Sequence, residues 1–177
     1  MAISHAKVSA IPDGPDNALV LPSDWNAAHT IGDGTITQTQ LAGLDGTPGT
    51  DHTAEGPQTS TFNAGESVTV MDLVYMHSDG EWHLTDADAA ATASGMLAIS
   101  LESKTDGQAM KVALPGSFVR DDTWNWTIGD KLWVSATPGG ITATAPSGTD
   151  DVQRVVGWAV SADVIWFQPS SDYATVV

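Results

Sequence analysis

From residue 63 to the C-terminus, β-branched and aromatic residues come in short runs, and turn residues cut each run off before a helix could complete itself. The runs lie at 68–76, 82–84, 96–101, 109–114, 117–120, 131–135, 141–144, 152–160 and 164–167, separated by clusters of Gly, Pro, Asp and Ser. Strand-length runs punctuated in this way predict an all-β fold, a small antiparallel β-sandwich or barrel. Asp79-Gly80 predicts a hairpin with a two-residue loop, which pairs Ser78 with Glu81 and His77 with Trp82. Only DADAAATAS, at 86–94, fits a helical turn, and it fits a loop equally well. DLVYM at 72–76 reads like DKLWV at 130–134, and in each copy a Gly-containing turn, a return strand and a strand opening with Gly follow. This weak repeat predicts two related hairpin-plus-strand units closing on one another.

Before residue 63 no helix or sheet period persists. Residues 1–43 read as an extended N-terminal attachment arm, 44–62 as a Gly/Pro/Thr-rich linker and 63–177 as the all-β domain. Within the arm, LVLPSDWNAAHTI at 19–31 is an apolar and aromatic anchor without a local core, so it is expected to order on a partner. Its contact residues are Leu19, Leu21, Pro22, Trp25, His29 and Ile31.

Acidic residues number 22 against 6 basic ones, a formal net charge of −16. Such a chain repels phosphate, so nucleic acid is not an expected partner. With 41% hydrophobic residues and 7 tryptophans, most of it is nonetheless expected to pack. There is no cysteine, which excludes disulfides and thiolate zinc sites. Neither a secretory h-region in MAISHAKVSA nor an 18-residue apolar run is present, so membrane insertion is not expected and synthesis is expected in the cytoplasm of the producing cell.

Catalytic patterns are weak. Ser4 and Lys7 have the spacing of a nucleophile pair but sit at an extreme terminus, and no GxSxG, GK[ST] loop or HExxH occurs. With a two-residue loop, His77 and His83 are not cross-strand partners and read as exposed hairpin histidines; a metal site there requires a different register. The acidic pairs Asp86/Asp88, Asp121/Asp122 and Asp150/Asp151 lack calcium-loop spacing and read as solvated turns, unless a symmetry axis gathers them into a ring. No catalytic residue, cofactor or metal is therefore expected within one chain. Trp124 and Trp126 would share a face on an extended strand and, with Trp133 and Trp158, form an oligomer interface or a glycan-binding face; core packing is the plainer alternative for the first two.

Pro22, Ser23, Asp24, Trp25, Asn26, His29, Thr30 and Ile31 resemble a PSDWN…HTI signature near the N-termini of tailed-phage virion proteins, mostly tail fibres or structural proteins without an assigned role. The succession DLVY…SDGEW…ADAAAT, PGSFVRDDTWNW and GDKLWVSATPGGIT is similar to the small domains of phage head-decoration and head-fibre proteins. These resemblances imply a non-enzymatic virion structural protein on the outer surface of the particle, a homo-oligomer, most simply a homotrimer. They leave two roles open. One is a capsid decoration (cement) protein whose arm binds the major capsid protein; the other is a short tail fibre or receptor-binding protein that joins tail proteins and recognises a host glycan. The absence of a shaft of heptads or Gly-X-Y repeats favours decoration.

Overall fold

A computed structural model describes residues 47–177, together with the backbones of two short strands, β1 (Ala2–Ile3) and β2 (His29–Thr30). The chain divides into two compact units, Met1–Leu41 and Ala42–Val177. In the first, β1 and β2 pair antiparallel, with Ala2 opposite Thr30. Apart from the backbone of His29, the anchor residues Leu19, Leu21, Pro22, Trp25 and Ile31 lie outside the described residues.

The second unit is built from β3 (Thr53–Glu55), β4 (Gln58–Thr59), β5 (Leu73–Met76), β6 (Trp82–Leu84), the single helical turn α1 (Ala90–Ala93), β7 (Leu97–Ser100) and β8 (Val112–Ala113). There follow β9 (Ser117–Arg120), β10 (Lys131–Val134), β11 (Ile141–Thr142), β12 (Val152–Gln153), β13 (Val155–Ala159), β14 (Val164–Phe167) and β15 (Ala174–Thr175). They form a six-stranded sheet in the order β11-β10-β13-β14-β9-β3 and a five-stranded sheet in the order β4-β8-β7-β5-β6, with a short β12-β15 pair. Among the described residues every pairing between these strands is antiparallel, and the fold is an all-β sandwich.

The sandwich core interleaves Leu73, Tyr75, Leu97 and Ile99 of the smaller sheet with Val119, Leu132, Val134, Val156, Ile165 and Phe167 of the larger. Alternation explains which side chains enter it, because successive residues of a strand point to opposite faces. On the far side of the smaller sheet, Val74, Ala98 and Val112 meet Ala64, Val68, Trp82 and Met110 in a second cluster. That sheet is thus buried on both faces, and its strands LVYM and LAIS read as continuous apolar runs for that reason. The larger sheet has one covered face, so KLWV alternates between open or half-buried and buried positions, while in VIWF Trp166 alone is exposed.

The sequence repeat has a structural counterpart. β6-β5-β7-β8 in the smaller sheet and β11-β10-β13-β14 in the larger have the same neighbour order, with DLVYM and DKLWV at equivalent places. Backbone bonds tie the two meanders at one end, where Leu73 N–H donates to the Gly139 carbonyl (2.7 Å) and Gly139 N–H to the Thr85 carbonyl (2.8 Å).

Three features differ from the sequence expectations. The 44–62 segment is more than a linker, since β3 and β4 add an edge strand to each sheet, pairing with β9 and β8. Backbone pairing needs no apolar side chain, which is why a Gly- and Pro-rich stretch supplies it. The run at 152–160 is broken into β12 and β13, and the C-terminal β15 pairs with the first piece.

The hairpin register differs too. Met76 pairs with Trp82 and Tyr75 with His83, and His77 N–H donates to the Glu81 carbonyl (3.0 Å). The loop is therefore Ser78-Asp79-Gly80 rather than Asp79-Gly80, with Gly80 left-handed (φ 88) as a three-residue hairpin loop requires. His77 and His83 consequently lie diagonally on one face of the hairpin, their ring centres 4.7 Å apart. A hydrogen bond from the Glu81 amide, reinforced by both imidazoles, holds the Asp79 carboxyl down at about 2.

Candidate functional site

The open face of the larger sheet carries a row of side chains set by strand register. Lys131 on β10 stands opposite Trp158 on β13, Trp158 opposite Trp166 on β14, Trp166 opposite Phe118 on β9, and Phe118 opposite Glu55 on β3. The inward neighbours of each member enter the core, so strand alternation leaves these on the outside. Trp158 and Trp166 stack with centroids 5.7 Å apart at 30°. They keep 36% and 39% of their surface exposed, an unusual position for the largest apolar side chains on a sheet. Beside them the Lys131 ammonium lies 5.3 Å from the centre of the half-buried Trp133 ring, a cation–π contact.

The face is bounded by charge. Arg120 Nε donates to Asp122 Oδ1 (2.6 Å), and its guanidinium approaches Asp163 at 3.6 Å. Glu55 closes the row at one end and Lys131 at the other, with an apolar stretch of three aromatic rings between. Flat, amphipathic and rigid, such rings suit a partner surface or the face of a sugar.

Of the aromatic residues singled out in the sequence, Trp133 and Trp158 belong to this face. Trp124 and Trp126 do not. They sit in the loop after β9 rather than on a strand, their rings 5.8 Å apart, and both pack against the sandwich core. Backbone bonds hold the loop: Trp124 N–H closes a turn on the Asp121 carbonyl, and Trp126 N–H donates across to the Ala162 carbonyl at 2.9 Å. Trp166 and Phe118 escaped sequence reasoning because neither VIWF nor SFVR alternates polar with apolar residues, so the letters do not mark which side chains stay outside.

The acidic pairs serve the loops they occupy. Asp121 is buried and its Oδ1 accepts from Thr123 N (2.8 Å) and Oγ1 (2.7 Å), while Asp151 Oδ2 accepts from Gly148 N (2.6 Å). Asp86 Oδ1 takes the Asp88 amide at 2.9 Å, and the charge of Asp86 raises the Asp88 carboxyl above its ordinary range. A shallow hollow of about 330 Å³, lined by Ser135, Thr142, Pro146 and Asp151 among others, offers that one carboxylate, already bound to backbone. Among the described residues no helix is long and apolar enough to cross a membrane.

Comparison of the chain with protein-family models, curated proteins and solved structures finds no match.

Proposed function

We propose that this chain is a non-enzymatic structural protein of a tailed-phage virion, a capsid decoration protein of the cement or head-fibre type. Its N-terminal arm binds the outer surface of the major capsid shell, and its β-sandwich self-associates through the open face of the larger sheet. The half-exposed Trp158–Trp166 stack is the observation that carries this reading. An aromatic pair left open on a rigid sheet is the kind of anchor around which interfaces form. The sequence resemblances of arm and domain supply the virion setting and the trimer.

Copies of a chain with a net charge of −16 repel one another, so association must come from apolar contact. Sedimentation of the full chain is expected to show an oligomer, a trimer, that persists at high salt and loosens at low salt, because screening removes the repulsion and leaves the aromatic contacts in place. Trp158→Ser with Trp166→Ser should yield a folded monomer. A monomer at every ionic strength would turn the face toward the second reading, a fibre or receptor-binding role in which the stacked rings bind a host glycan.

Removing residues 1–41 is expected to leave a folded sandwich, since every strand from β3 onward lies in the second unit. The truncated protein should no longer attach to particles. Normal decoration by it would exclude the arm as the anchor. Copy number in purified virions separates the two roles, with hundreds per particle for decoration and about a dozen for a fibre.

A further inference from the structure

The three-residue loop does more than turn the chain. It points two imidazoles and a carboxylate at one place: His77 Nδ1 lies 2.8 Å and His83 Nε2 3.1 Å from the same oxygen, Asp79 Oδ2. The nearest ligand-capable atoms of the three residues all lie within 4.8 Å of one another. We propose that His77, Asp79 and His83 bind a divalent first-row transition-metal ion of the zinc or nickel class, with Glu66 orienting His83 from behind.

Chemistry and spacing both favour such an ion. Imidazole nitrogen with one carboxylate is a donor set for zinc, nickel or copper, whereas calcium and magnesium demand oxygen cages. Bonds of about 2.0–2.2 Å in a tetrahedron hold donor atoms roughly 3.4 Å apart, so the two nitrogen-to-carboxylate separations need only a small opening to admit the ion. His77 and Asp79 are each about two-fifths exposed, which leaves a further coordination position facing water.

His83 carries the second line of argument. Its Nε2 faces Asp79 at 3.1 Å and its Nδ1 faces Glu66 Oε1 at 3.4 Å, a carboxylate oxygen on each side. A neutral imidazole has one N–H and one lone pair, so one of these contacts sets a lone pair against a carboxylate unless the ring takes up a proton or a metal ion. A metal ion on Nε2 removes that conflict and lets Nδ1–H donate to Glu66, the arrangement that commonly orients a ligating histidine. Glu66 is itself fixed, because its Oε1 accepts the Leu84 amide at 2.8 Å. Space is reserved as well: a Cβ at Gly65 would fall 2.1 Å from His83 Nε2.

The other comparable cluster, Asp51, His52 and Asp121, lacks this character. It has one imidazole, and Asp51 Oδ1 and Asp121 Oδ1 are occupied by the amides of Asp122 and Thr123. In the hairpin Asp79 Oδ1 accepts from the Glu81 amide and His77 Nδ1 has a long contact with the Asp79 amide (3.5 Å), while Asp79 Oδ2 faces the two imidazoles.

Calorimetric titration of the full chain with Zn²⁺ alone, repeated with Ni²⁺, tests the site. A saturable site is expected that His77→Ala or His83→Ala weakens by tenfold or more, with His52→Ala without effect. Glu66→Gln should weaken it by about tenfold through loss of orientation, and Gly65→Ala should do so without removing a ligand. In the imidazole NMR spectrum, His77 and His83 should respond to Zn²⁺ together. Should His83→Ala perturb the hairpin, His77→Gln at the more exposed ligand carries the test. No saturable uptake, or uptake indifferent to both His77 and His83 replacements, would overturn the proposal.

Discussion

Replacing Gly157 by alanine is expected to cost the sandwich about 3 kcal/mol, a fall in melting temperature on the order of 10 °C. A Cβ there would fall 2.1 Å from the Trp166 carbonyl oxygen and 3.3 Å from the Gln168 amide nitrogen, both backbone atoms of the neighbouring segment. The crowding follows from a bulge. β10 pairs Leu132 with Gly157 but Trp133 with Val155, so β13 fits an extra residue against its partner and bends toward β14. Backbone cannot rotate aside as a flexible side chain can, so relief requires β13 and β14 to separate. Gly95→Ala is the control, because its Cβ would meet only atoms 3.7 Å or more away. Thermal melts of the two variants decide the point: equal stabilities would mean that β13 and β14 do not pair as described.

Arg154→Met is expected to destabilise the domain by about 3 kcal/mol, through loss of buried charge-assisted hydrogen bonds rather than of an ion pair. Arg154 is 6% exposed; its Nε donates to the Ser170 carbonyl (2.8 Å), and its Nη1 to the carbonyls of Ala93 (2.7 Å) and Gly95 (2.6 Å). Among the described residues no carboxylate pairs with it, and burial lowers its pKa from the ordinary arginine value. The guanidinium instead joins the end of α1 to the segment that leads into β15. Methionine fills similar space and leaves three acceptors without donors. Arg120→Met, which breaks the partly exposed pair with Asp122, should cost less than about 1 kcal/mol. Denaturant melts compare the two, and amide exchange should show residues 170–175 opening in the Arg154 variant. Equal losses would mean that the buried network contributes no more than a surface pair.

The strands from β5 to β14 were legible because short β-rich runs and turn residues alternate clearly, and the repeat foreshadowed the paired meanders. What sequence left ambiguous was pairing. Ser78-Asp79-Gly80 closes as a two- or a three-residue loop with the same letters, and the choice shifts every cross-strand partner by one. On that shift depends whether His77 and His83 share a face. Trp166 was hidden for a related reason: VIWF is apolar throughout, so only its neighbours β13 and β9 show which residue stays outside. Trp124 and Trp126 lie side by side, as their two-residue spacing implies, but spacing alone does not say what a pair faces, and both pack against the sandwich core.

β3 and β4 sit two residues apart in the chain, yet each borders a different sheet. They run beside β9 and β8, whose own connection crosses at the same corner, and the Ser117 hydroxyl donates to the Pro57 carbonyl there (2.9 Å). Mechanical load entering from the N-terminal side of residue 53 therefore reaches the edge of the larger sheet first, and the corner hands it on to the smaller one. The two-residue link between β3 and β4 thus couples the margins of the two sheets, so that displacing one edge strand strains its neighbour across the corner.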